Sequence, residues 1–112
     1  MATETVTSSN LGDKMFEAAK SSFGNKFVLV KTFLKDESEK LAITLRMIVQ
    51  ASASGEITKT EAKILLNQQK LAASAVLTAA EGMTAVAVQA ALNAALKVVK
   101  DFVNGKIGFT LL

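Results

Sequence analysis

Polar residues recur along the second half of the chain at helical intervals. Lys63, Asn67, Lys70, Ser74, Thr78, Glu81, Gln89, Asn93, Lys97, Lys100 and Asn104 form one line, and Ala85 occupies the single missed step. Steps of three and four residues match the α-helical period. The stretch LAASAVLTAAEGMTAVAVQAALNAALKVV (71–99) carries only two charges, Glu81 and Lys97, and both belong to that stripe. A helix that is apolar nearly all the way round has to be covered by other helices, by copies of itself or by lipid. The residues expected to make that contact are Leu77, Met83, Val86, Val88, Ala91, Leu92, Ala95, Leu96 and Val99, joined by Phe109 of the C-terminal segment.

Thr58 followed by Glu61 is a capping-box pair, which places the start of this helix near Lys59. The stripe keeps its phase through Gly82, so the pattern favours one continuous, kinked helix. Such a helix of about 45 residues would be roughly 65–70 Å long at 1.5 Å per residue. The alternative uses Gly82 as a C-cap and Thr84 as the next N-cap, giving a hairpin of helices 59–81 and 84–104.

Upstream, Leu11, Met15, Phe16, Ala19 and Phe23 share one side of a helical wheel, opposite Asp13, Lys14, Glu17 and Lys20, until Gly24-Asn25 interrupts them. KFVLVKTFL (26–34) has the β-branched and aromatic content of a strand. However, Phe27, Val30, Leu34, Leu41, Leu45 and Ile48 fall three, four or seven apart, which predicts a helix over 26–53. Asp36 with Glu39 is a further cap-like pair and marks a potential break near Lys35-Asp36. SASGEIT (52–58) is a loop, and Asn104-Gly105 is the expected end of the last helix. Ile107, Phe109, Leu111 and Leu112 in KIGFTLL are too apolar to stay in water and should dock on a neighbouring surface.

The fold expected is therefore all-α: an elongated helical hairpin, or a four-helix bundle of 11–34, 37–53, 59–81 and 84–104. In both, the C-terminal helix is alanine-rich and nearly all-round apolar. A single helical domain spans 11–112, behind a flexible tail over 1–10 rich in threonine and serine. At 112 residues a core is attainable, but alanine contributes little area at roughly 25 cal/mol per Å².

Composition narrows the chemistry. The chain has no histidine, cysteine, tyrosine, tryptophan or proline. Disulfides and thiolate or imidazole metal sites are excluded, and nucleophile–base pairs lose their usual members. Asp36, Glu37 and Glu39 lie beside Lys35 and Lys40 and read as a solvated helix start. Gly105-Lys106-Ile107-Gly108 reads as turn geometry rather than a phosphate cradle. The net charge of +3 is spread along the chain, and Arg46 is the only arginine, which argues against nucleic-acid readout. No enzyme activity, metal, cofactor or small-molecule substrate is expected.

Two functions remain. The first is a helical assembly protein that self-associates, or packs on a helical partner, through 71–99. Small residues spaced by four (Ser74, Thr78 and Gly82; Ala87, Ala91 and Ala95) suit such close packing. The second is a small membrane-active protein, of pore-forming or lysis type, inserting the same segment with Glu81 as a polar or ion site. Against it, alanine inserts weakly and no tryptophan or tyrosine marks an interface. Without a basic-then-apolar leader pattern the cytoplasm is the expected compartment, with membrane association as the alternative.

Overall fold

Four α-helices and one 3-10 segment make up the computed structural model, which describes residues 5–80 and 82–112. Helix α1 (Leu11–Lys20) runs into the 3-10 segment (Ser21–Lys26), followed by α2 (Phe27–Ala53), α3 (Lys59–Ala79) and α4 (Ala85–Ile107). Leu11, Met15, Ala19 and Phe23 are buried as their spacing predicts, and Phe16 is half-buried. The helix of 11–20 stops short of Phe23, and Gly24 supplies the positive φ of 56° that lets the chain turn. Residues 1–4 of the expected tail lie outside the described residues. Within 5–10, Asn10 Oδ1 accepts the Thr7 amide at 2.7 Å, and its Nδ2 donates to the Thr5 carbonyl at 2.8 Å. Arg46 of α2 donates to the Ser8 carbonyl at 2.9 Å, tying this turn to the body of the protein.

The 26–34 stretch is helical, and α2 passes through Lys35-Asp36 without a break. Its buried residues Val30, Leu34, Leu41, Leu45 and Ile48 hold one phase across that point. A cap pair acts only where the preceding residue leaves helical geometry, and continuous core contacts on both sides prevent that here. Phe27 packs against Phe16, with ring centroids 5.6 Å apart.

Helix α2 ends in a Schellman motif. The Gly55 amide donates to the Ser52 carbonyl at 3.2 Å, the Glu56 amide to Ala51 at 2.9 Å, and Gly55 takes φ 75°. The capping box of α3 forms as predicted: Glu61 N donates to Thr58 Oγ1 at 3.1 Å, and Thr58 N to Glu61 Oε1 at 2.9 Å. Thr58→Ala is expected to cost about 1 kcal/mol. That lowers the thermal midpoint by roughly 4 °C, readable in a circular-dichroism melt; an unchanged midpoint would mean that the cap contributes nothing.

The continuous helix over 59–104 does not form. The Ala80 backbone turns extended at ψ 140°, the Met83 amide donates to the Ala80 carbonyl at 3.2 Å, and Gly82 takes φ 79°. Thr84 then caps α4, its Oγ1 accepting the Ala87 amide at 3.1 Å. Lys26 holds this corner from the other side by donating to the Gly82 carbonyl at 3.2 Å. The chain reverses because Leu77 and Val88, on either side of the turn, both reach the same core.

Packing pairs α1 with α4 and α2 with α3, and α1 against α2 joins the pairs. Ala62 and Ala73 of α3 and Ala91 and Ala95 of α4 are buried, and small side chains at such contacts let helix axes approach. The elongated form is therefore not adopted. The Cα atoms fit within 42 × 36 × 18 Å, with a radius of gyration of 13.9 Å, against about 13 Å for a compact domain of this length. The short dimension is only about two helix diameters. The protein is all-helical and slab-shaped.

Helix α4 continues past Asn104-Gly105 to Ile107, and Gly108, at φ 78°, is the glycine that ends it. Asn104 instead holds the C-terminal segment: its Oδ1 accepts the amides of Leu111 at 2.9 Å and Leu112 at 3.1 Å. Ile107, Phe109, Leu111 and Leu112 pack, half-buried, on the protein's own core. The Lys59 ammonium lies 5.9 Å from the centre of the Phe109 ring.

Candidate interaction surface

The residues expected to meet a partner divide sharply. Leu77, Val88, Ala91 and Val99 have no exposed surface, and Leu92, Ala95 and Leu96 are buried with them. These side chains form the chain's own core and are not available to a partner in this fold. Once the chain turns at Gly82, α4 has α1, α2 and α3 to pack against, and its apolar face is satisfied internally. Met83 and Phe109 are half-buried against the same core. Val86 alone projects outward, at 81% exposure. Glu81 lies outside the described residues.

What the core does not absorb lies mainly on α2 and α3. The buried side of α3 is narrow: Ala62, Leu66, Ala73 and Leu77. The polar stripe of Lys63, Asn67, Lys70, Ser74 and Thr78 does not sit opposite that side. At 100° per residue it lies to one flank. Lys70 and Ser74 are themselves half-buried. The outward direction belongs to Ile64, Leu71 and Ala75, with Ala72, Val76 and Ala79 beside them. Ile64 is 52% exposed and Leu71 64%. Gln68 and Thr78 are its polar interruptions, and no charge occurs on α3 after Lys70.

Helix α2 repeats this arrangement less cleanly. Leu29, Phe33, Ile43 and Met47 are exposed and fall on one line of the helix. Asp36 and Lys40 occupy the steps between them, so charge divides the line in two. Neither set was singled out among the expected contact residues. Their signal was present, since α2 and α3 have apolar residues on opposite sides, and one side had to remain uncovered in so short a chain.

The acidic group at the centre of α2 is not a uniformly solvated helix start. Asp36 and Glu39 are exposed, with the Glu39 carboxylate over Gly12 of α1 where a Cβ would otherwise sit. Glu37 is buried, and its Oε2 pairs with the Lys40 ammonium at 3.1 Å. Because α2 is continuous, Glu37 falls on the face that packs inward. Among the described residues, no three His, Cys, Asp or Glu side chains converge as metal ligands would. None of the helices, among the described residues, is long and apolar enough to cross a membrane.

No protein-family model, curated protein or solved structure matches this chain.

Proposed function

We propose that this protein is a non-enzymatic helical assembly module, a four-helix unit that self-associates through the outward face of α3. The observation that carries the reading is the exposure of Ile64 and Leu71 on a helix face without charge from Leu71 to Ala79. Single exposed apolar residues are ordinary on monomers, but contiguous ones mark interaction sites. A second copy is the occupant that suits the face. An uncharged ridge offers no opposite sign for a charged partner to match. Two such ridges related by a two-fold axis satisfy each other in an isologous contact. Small residues at 72, 75 and 79 allow close approach of the two helices. The segment responsible is thus the outer side of 64–79 rather than the whole of 71–99, where Leu77, Val88, Leu92, Leu96 and Val99 are in the core.

Light scattering after gel filtration is the test. The wild-type chain is expected at a defined multiple of 11.8 kDa. Ile64→Glu with Leu71→Glu is expected to return it to the monomer mass with its helicity and cooperative melt retained. A wild-type protein that stays at 11.8 kDa at every concentration overturns the reading. Monomeric protein that co-sediments with lipid vesicles would favour the membrane-active alternative instead.

A further inference from the structure

A second feature lies between α3, α4 and the C-terminal segment. There the chain encloses a cleft of about 360 Å³, partly open to solvent. Its floor is Leu66 of α3 and Leu96 of α4, both buried, and Leu111 and Leu112 form a side wall. That wall exists because the Asn104 side chain accepts both of its amides. Lys70, Lys97 and Lys100 also line the cleft. Among the described residues no carboxylate comes within 4.0 Å of any of these three ammonium groups. Asp101, four residues after Lys97, does not reach it.

The volume falls within the range of about 300–1,000 Å³ typical of small-molecule sites, which are apolar with a few placed polar groups. Here the apolar part is aliphatic, without an aromatic ring for a base to stack on. The polar part is the three lysines and the neutral amide of Asn93, whose Oδ1 already accepts from Gln89 Nε2 at 3.1 Å; lysine acts as a compact point charge rather than a planar fork. We propose that this cleft binds a single-chain amphipathic anion, with its hydrocarbon against Leu66, Leu96, Leu111 and Leu112. Its carboxylate meets Lys70, Lys97 and Lys100. The linear pattern held no hint of such a ligand, because the three lysines appear there as ordinary members of a solvated stripe. The site stands independently of self-association, since it uses the flank of α3 and not its outward ridge.

The test uses the full chain with leucine methyl groups labelled for NMR, titrated with decanoate below its micelle concentration. Decanol and decyltrimethylammonium serve as matched probes without the negative charge. Decanoate is expected to shift the methyl signals of Leu66, Leu96, Leu111 and Leu112 and to saturate. Decanol should bind at least tenfold more weakly, and the cationic probe should not bind there. Lys97→Gln with Lys100→Gln, both at exposed positions, is expected to weaken decanoate at least tenfold while leaving decanol and the thermal midpoint unchanged. Equal affinity for decanoate and decanol, shifts mapping elsewhere, or no saturable binding would each overturn the proposal. Binding of decanoate undiminished in the double variant would do the same. Shifts seen only with anionic vesicles, and not with monomeric decanoate, would replace the soluble ligand with a membrane surface.

Discussion

Val88→Lys is expected to abolish the cooperative fold, whereas Val86→Lys, two residues earlier on the same helix, is expected to leave it intact. Val88 has no exposed surface and sits in the contiguous core of all four helices. Lysine there loses the buried valine and puts an ammonium where no carboxylate of the described core can meet it. Glu37, the one buried acid recorded there, is already paired with Lys40. Unpaired buried charge belongs to the short list of changes that cost on the order of 4–5 kcal/mol or more. A domain of this size has only about 5–15 kcal/mol in total. Val86 is 81% exposed, so its replacement costs about 0.5 kcal/mol, including the unfavourable placement of a cation at a helix N-terminus. Urea titrations of the two variants, followed by far-UV circular dichroism, separate them. Equal midpoints would remove Val88 from the core and restore it to an external surface.

Leu45→Ala carries the second largest expected loss. Leu45 is fully buried on α2, in the row formed by Val30, Leu34, Leu41 and Ile48. Truncation removes transfer free energy and leaves a cavity, together about 3 kcal/mol within the observed range of roughly 2–5. The thermal midpoint should fall by roughly 10–15 °C. Because α2 packs against α1, α3 and α4, the neighbouring side chains are held from several directions and cannot easily collapse into the space. Ile43→Ala serves as the contrast, since Ile43 is about half exposed. A loss at Leu45 no larger than at Ile43 would show that the inward and outward sides of α2 are not distinguished energetically.

Much of the local structure was legible along the chain. The capping pair of Thr58 and Glu61, the turn residues around Gly55 and the helical phase of Phe27 to Ile48 each depend on neighbours within a few positions. Asp36-Glu39 misled as a break because a capping pair can also sit unused on an exposed side of a helix interior. Asn104-Gly105 misled as a terminus because Asn104 spends its side chain on Leu111 and Leu112, contacts seven and eight residues away.

The residues expected at a self-association contact pose a different problem. Val88, Ala91, Leu92 and Leu96 were correctly read as needing cover, but the pattern could not say whose surface supplied it. Helical periodicity, caps and the demand for burial are local or compositional properties, so they are written in residue order. Whether the chain reverses at Gly82 is not. Stripes on α3 and α4 stay in phase across the turn, and phase carries no information about chain direction. The reversal is favoured by contacts between residues far apart in sequence. Those contacts alone divide the apolar surface into the inner side of α4, covered by its own chain, and the outer side of α3, left facing water.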